Sequence, residues 1–236
     1  MFDLKFAINL FPKILSVAPI TIGLSVFATL IGTILAVLIV IARERKIKVL
    51  GSVAAIYVSF IRGTPIIVQM YVVYYGLPQL LLTFKGMGLN TNPNGMPAML
   101  IAILAYSFNA AANISESIRS AYHSVDYQQY EAAVTVGMKP IRAMTRIVIP
   151  QLIANFIPNF SNLFLDLVKD TAIVYNIGIV EIMAKANILS SLGFKYIETY
   201  LDALIIYVLI CWFFAKIFHI FEGVARKRLS HTQALI

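Results

Sequence analysis

Charge is scarce in this sequence. Only 13% of its 236 residues are Asp, Glu, Lys or Arg, against about 25% in soluble domains. Cysteine is rarer still. The single Cys211 excludes an internal disulfide and any cysteine-rich metal site; it lies in an apolar run, which points to packing. The three histidines, His123, His219 and His231, are too scattered for a metal site. With the lone thiol they supply neither a nucleophile–base pair nor a metal constellation, so an intramembrane enzyme lacks its machinery and no catalytic residue is assigned. There is no G-x-x-x-x-G-K-[ST] phosphate loop, so ATP is not held by that route. No internal repeat and no low-complexity segment occurs. No compact apolar region leads to a small-residue cleavage site, so a signal peptide is not expected.

What the sequence has in excess is apolar surface. Sixty per cent of residues are hydrophobic and the mean hydropathy is +0.83. These values specify a polytopic membrane protein, and apolar spans of helix length make the expected fold all-α. Residues 1–15 mix Phe and Leu with Asp3, Lys5 and Lys13, too short and interrupted to cross a bilayer, and read as an interfacial helix. The first span is expected at 18–42, with Gly23, Ser25, Thr29, Gly32 and Thr33 suited to close helix contact. Residues 50–60 lead to Arg62-Gly63-Thr64-Pro65 and a second span at 64–82. Residues 83–96 read as a Gly/Asn/Pro loop. A third span at 97–118 precedes a loop at 119–150. The fourth region, 152–183, exceeds the ~20 residues needed to cross, so a break is expected at Lys169-Asp170-Thr171, with the apolar run 177–183 closing it. Residues 184–197 read as a loop that could hold a short helix, and a fifth span at 199–220 ends in a basic tail. The chain is read as one membrane domain, 1–236.

Positive charge orients these spans. Arg43, Arg45, Lys46, Lys48 and Arg62 lie on one side, with Arg119, Lys139, Arg142 and Arg146, and Lys216, Arg226, Lys227 and Arg228. The other side carries Lys5, Lys13, Lys85 and Lys195. The richer side is cytoplasmic by the positive-inside rule. That puts the N-terminus outside, and the C-terminus and the 119–150 loop inside. The same distribution explains the +8 net charge as membrane topology, not nucleic-acid binding.

The cytoplasmic loop contains EAAVTVGMKPIRAMTRIVIP, from Glu131 to Pro150. Ala132 and Ala133 allow another surface to approach closely. Gly137 can end a helix at positive φ, and Pro140 can open the next. On the residues alone this is either a docking element or an ordinary basic loop. It resembles the coupling loop of ABC importer permeases, E-A-A-x-x-x-G followed by I-x-L-P, with Glu131, Ala132, Ala133, Gly137, Ile147 and Pro150 in register and Ile149 where Leu is usual. Phe60–Pro78, Ser115–Ala133 and Leu167–Glu181 further resemble the polar amino-acid uptake subfamily, over roughly residues 16–225 in all. Gln128, Asp126 and Ala172 depart from the usual Gly, Pro and Ser.

The resemblance implies a type I ABC importer permease fold, with five transmembrane helices plus the N-terminal interfacial helix. It implies a prokaryotic cell-membrane protein that carries a polar amino acid or close analogue and works in a pair of permeases, the second being the same chain or a paralogue. Its partners would be a dimer of ABC ATPase subunits, which bind the ATP and Mg, and an extracytoplasmic solute-binding protein; no cofactor belongs to this chain. Glu131, Ala132, Ala133, Gly137, Pro140 and Arg142 are the ATPase-coupling candidates, although Lys139, Arg142 and Arg146 are also explained by topology alone. The alternative is an ion-coupled secondary amino-acid transporter, which five spans without a repeat suit poorly.

Intramembrane polar groups supply the candidate path, because a charge there faces protein or a water-filled cavity. Asp166, Lys169 and Asp170 share a helix face with Asn162 and Asn159. That stripe either holds the ammonium and carboxylate of a zwitterion or is an internal ion pair steadying a bent helix. Asn109 and Asn113 complete the cavity or bridge helices. Glu116 lines the path or pairs with Arg119, three residues on; the pairing is favoured. Arg62 meets lipid headgroups, caps neighbouring carbonyls or helps gate the path, the headgroup role being favoured, and Thr64 with Pro65 starts a helix. No metal site is expected.

Overall fold

The computed structural model describes residues 2–87, 96–191 and 193–233. Ten α-helices and no strand occur among the described residues. Five helical stretches are long and apolar enough to cross a membrane: Ala18–Glu44, Ile66–Gly86, Ala98–His123, Pro140–Ile177 and Tyr196–Lys227.

Helix α1 (Leu4–Leu15) is capped by Asp3, whose carboxylate accepts the Phe6 N–H at 3.0 Å. Its Ala7, Leu10 and Ile14 are buried, and Leu10 and Ile14 share a core with Ala203, Ile206 and Ile210 of the last helix, α10 (Tyr196–Gln233). Asp3 also forms an ion pair with Lys195, and its N–H donates to Glu198 Oε1 at 2.9 Å. Lys195, with the Phe6 N–H, holds the Asp3 carboxyl below its ordinary value. A lowered carboxyl pKa stabilises the docked state above the unfolded value, and that contribution is lost as pH falls through the folded one.

Helix α2 (Ala18–Glu44) lies along α5 (Ala98–His123) in the most extensive helix–helix contact among the described residues. Small residues make this possible. A Cβ on Gly32 would stand 2.7 Å from Ala110 Cβ and 3.1 Å from the Ser107 carbonyl oxygen. Gly32→Val is therefore expected to force the pair apart and cost about 1–3 kcal/mol, read as a lower melting temperature in detergent. Unchanged melting would show that the contact is not tight.

The approach read at 50–60 is a separate helix, α3 (Lys48–Arg62), which turns back on α2 through Lys46 at φ 50°. Its 15 residues are too few to cross. Tyr57 on it donates to the Phe108 carbonyl of α5 at 2.5 Å. Helix α4 (Ile66–Gly86) begins two residues later than expected, with Pro65 as its N-cap, and takes in residues 83–86 of the expected loop. Residues 88–95 of that loop lie outside the described residues.

The fourth span is one winding rod. Helix α7 (Pro140–Ala143) runs into a π-turn, Met144–Val148, then α8 (Ile149–Asp170), then a 3₁₀ turn, Thr171–Ile177. Pro150 explains the π-turn. It has no N–H for the Arg146 carbonyl and its ring crowds that oxygen. The widened turn gives way, and Ile149 donates to Met144, five residues back. The expected break falls at Asp170–Thr171, but the rod ends at Ile177 on the left-handed Gly178 (φ 85°). Ile182 and Met183 belong instead to the short helix α9 (Ile182–Ser191). The fully buried Glu181 starts α9 by accepting the Met183 and Ala184 N–H groups, and accepts the Tyr207 hydroxyl of α10 at 2.7 Å. The third and fifth spans run past their expected ends, to His123 and Gln233.

Candidate functional site

Two sites lie along the α7–α8 rod. At the C-terminal half of α8 is a cavity of about 210 Å³ between α2, α5 and α8. Its polar lining is Thr29, Asn109, Asn113, Asp166 and Asp170; its apolar lining includes Phe164 and Leu167. Four of the candidate path residues thus meet in one place. Asn113 donates its amide to the Asn109 carbonyl and to Asn109 Oδ1, both at 3.1 Å. Asn109 in turn donates to Gln69 Oε1 at 3.0 Å. Asp166 pairs with Lys169 at 2.7 Å. The carboxylate of Asp170, one helical turn away, has no hydrogen-bond partner among the described residues. Thr29 Oγ1 is likewise buried without a partner there. The Tyr106 hydroxyl donates to the backbone carbonyl of Asp170 at 2.6 Å and holds the helix end. The cavity therefore offers one anionic group, amide oxygens and a hydroxyl, which suits an ammonium-bearing solute.

Other candidates lie elsewhere. Asn159 and Asn162 are exposed on the outer side of α8 and do not line the cavity, so the polar stripe continues from it onto open surface. Glu116 is in an ionic cluster at the far ends of α2 and α5. It accepts from Arg43 at 2.7 Å and from Arg119 at 3.1 Å, while Arg119 also reaches Glu44 at 2.8 Å and His123 lies 3.1 Å from Glu44. The pairing with Arg119 is present, but Arg43 and Glu44 were missed because they lie 73 and 75 residues away from their partners in sequence. Arg62 is exposed and adds its field at Glu116. Thr64 Oγ1 donates to the Phe60 carbonyl at 3.0 Å and closes α3 rather than opening α4.

Gln69 was also missed. Its buried amide nitrogen shares its two hydrogens among the Ile61 carbonyl, the Thr64 carbonyl and Thr64 Oγ1, and its Oε1 accepts from Asn109. It ties the α3–α4 turn to the cavity wall. A lone amide in an apolar span was the available signal. Gln69→Leu should cost about 1–3 kcal/mol by stranding these partners. The same variant should raise the substrate KM through Asn109, and wild-type melting and KM together would refute that role.

The second site is the loop below the rod. Helix α6 (Tyr127–Thr135) ends in a Schellman turn on Gly137 at φ 92°. The Met138 N–H donates to the Ala133 carbonyl and the Gly137 N–H to Val134. Lys139 and Pro140 then open α7. Glu131, Ala132, Gly137, Pro140 and Arg142 are exposed, as are the apolar Val136 and Ile141. Ala133 differs from expectation. It is turned inward on Ala143 and Ile147 with Met138 over them, so its small size serves the packing of the loop on itself.

A helix–turn–helix with a small inner core and an exposed apolar tip, hung from a membrane rod, matches one family along most of the chain. Residues 28–231 fit the pattern of the binding-protein-dependent transport system inner membrane component. The chain belongs to this family. It is the membrane-spanning permease subunit of an ABC importer, not an ion-coupled transporter, and a multi-pass membrane protein whose family works with ATPase and other ABC components. The "Probable amino-acid permease protein YxeN" of Bacillus subtilis (strain 168) is 35% identical over 228 residues, 97% of this chain and 96% of that one. The "L-cystine transport system permease protein TcyL" of the same organism is 31% identical over 236 residues, 100% of this chain and 95% of its own. Among solved structures, an amino acid ABC transporter with histidines superposes at a TM-score of 0.81 with 32% identity, covering 94% of this chain and 99% of that one. These relatives are transport permeases, which accords with a subunit that is not itself an enzyme.

Proposed function

We propose that this permease passes an amino acid or close analogue through the cavity between α2, α5 and α8. The supporting observation is that one rod carries both the exposed loop and the acidic side of the cavity. Asp170 takes the substrate ammonium, the amide oxygens of Asn109 and Asn113 take its remaining donors, and the loop around Glu131 and Gly137 docks on a dimer of ATPase subunits. ATP and Mg are bound by that dimer. A solute-binding protein delivers substrate from outside, with the N-terminus on that side and the C-terminus in the cytoplasm. The exposed stripe of Asn159, Asn162 and Asp166 supports a second permease beside α8, because polar groups at membrane depth face protein or water rather than lipid. Differential contact of the loop with nucleotide-bound and nucleotide-free ATPase would shift the permease between outward- and inward-facing states.

The test is reconstitution in proteoliposomes with the cognate ATPase and binding protein, using a panel of labelled amino acids. Uptake should require ATP, both partners and Glu131. Uptake that proceeds without ATP or the ATPase would overturn the reading.

A further inference from the structure

The root of the loop is stitched to α8 at two points. Helix α5 ends at His123, Val125 is buried in the bend, and Asp126 caps α6 by accepting the Gln128 N–H at 3.0 Å. From α8, Gln151 and Asn155 stand one turn apart on one face and reach either side of that bend. Asn155 Nδ2 donates to Ser124 Oγ at 2.8 Å. The Ser124 hydroxyl proton is already given to the Ala121 carbonyl at 2.8 Å, so its oxygen is turned to accept. Gln151 Nε2 donates to Gln129 Oε1 at 2.7 Å and to the Ile147 carbonyl at 3.0 Å. Both amide hydrogens are committed, which fixes its orientation.

The covalent path between Gln129 and Gln151 is 22 residues long. It crosses two joints, the Gly137 turn and the π-turn. The stitches bypass both. We propose that Gln151 and Asn155 are positioning residues that lock the α5–α6 bend, Gln151 at the start of the coupling helix α6 and Asn155 at the end of α5, to α8, so that motion imposed on α6 reaches Asp166 and Asp170 through α8 without passing through either joint. The proposal rests on the importer reading above.

The experiment uses the whole reconstituted importer and reads substrate moved per ATP hydrolysed. Gln151→Ala with Asn155→Ala should leave binding-protein-stimulated ATPase activity near wild type while uptake falls about tenfold, as expected for losing two hydrogen bonds of this kind. Gln129→Glu and Gln151→Lys should each lower the uptake-to-hydrolysis ratio singly and restore it together, because an ion pair can replace the amide bond. A purely structural role would lower uptake and hydrolysis alike and give no such recovery. Wild-type coupling in the double alanine variant overturns the proposal. So does a Glu/Lys pair that fails to assemble or does no better than the single changes. Absence of ATP-driven uptake by the wild type in the same vesicles would instead refute the importer reading, independently of the stitches.

Discussion

Gly137→Val is expected to cut ATP-driven uptake by about 10- to 100-fold, from roughly 1–3 kcal/mol of strain for a branched side chain in the left-handed region. The mechanism is loss of docking shape. Gly137 stands at φ 92°, and the Schellman bonds from Gly137 and Met138 fold α6 back over Ala143 and Ile147. Among the described residues beyond its chain neighbours, nothing lies within 4 Å of a Cβ built there, so the penalty is conformational and not steric crowding. Gly137→Asn, which tolerates this region, should transport nearly as well as wild type. Excess ATPase subunit should recover much of the valine variant's uptake, because a weakened complex responds to concentration. It should not recover the Gln151/Asn155 variant, whose defect lies after docking. Normal uptake by the valine variant would show that the turn does not shape the docking surface.

Asp170→Asn should raise the substrate KM and lower uptake at limiting substrate by about 10- to 100-fold, the worth of one hydrogen bond to a charged group. Lys169 is hydrogen-bonded to Asp166, which leaves Asp170 as the cavity carboxylate with no cation bonded to it among the described residues. The substitution keeps the side-chain volume, and the Tyr106 bond goes to the Asp170 backbone carbonyl, so the helix end is held as before. Binding-protein-stimulated ATPase activity should persist. Equal loss of uptake at saturating substrate would assign Asp170 to architecture instead of recognition.

The five long helices were legible because a bilayer demands continuous apolar length, and the break at Asp170–Thr171 because one helix cannot fill 152–183. Helix α3 was not. Its apolar residues cover only 15 positions and read as a lead-in, and nothing local announces that Lys46 reverses the chain. The gathering of Asn109, Asn113, Asp166 and Asp170 around one cavity was foreshadowed by polar residues in apolar spans. The division of the stripe was not: which of Asn159, Asn162 and Asp166 faces the cavity depends on the rotation of α8. That rotation is set by the π-turn and by Phe164, Leu167 and Val168 in the core. Ala133 illustrates the same limit, since a small residue suits the inside and the outside of a docking loop equally.

The bonds from Asp3 to Lys195 and Glu198 also set an order of events during synthesis. Asp3 is made 195 residues before its partner Glu198, about 10–40 s at cellular elongation rates. The apolar face of α1 meanwhile waits at the bilayer surface without its seat. Release of a chain arrested before residue 195 would leave the first helix undocked and open to protease or to chaperones. Synthesis of α10 therefore decides when α1 is seated.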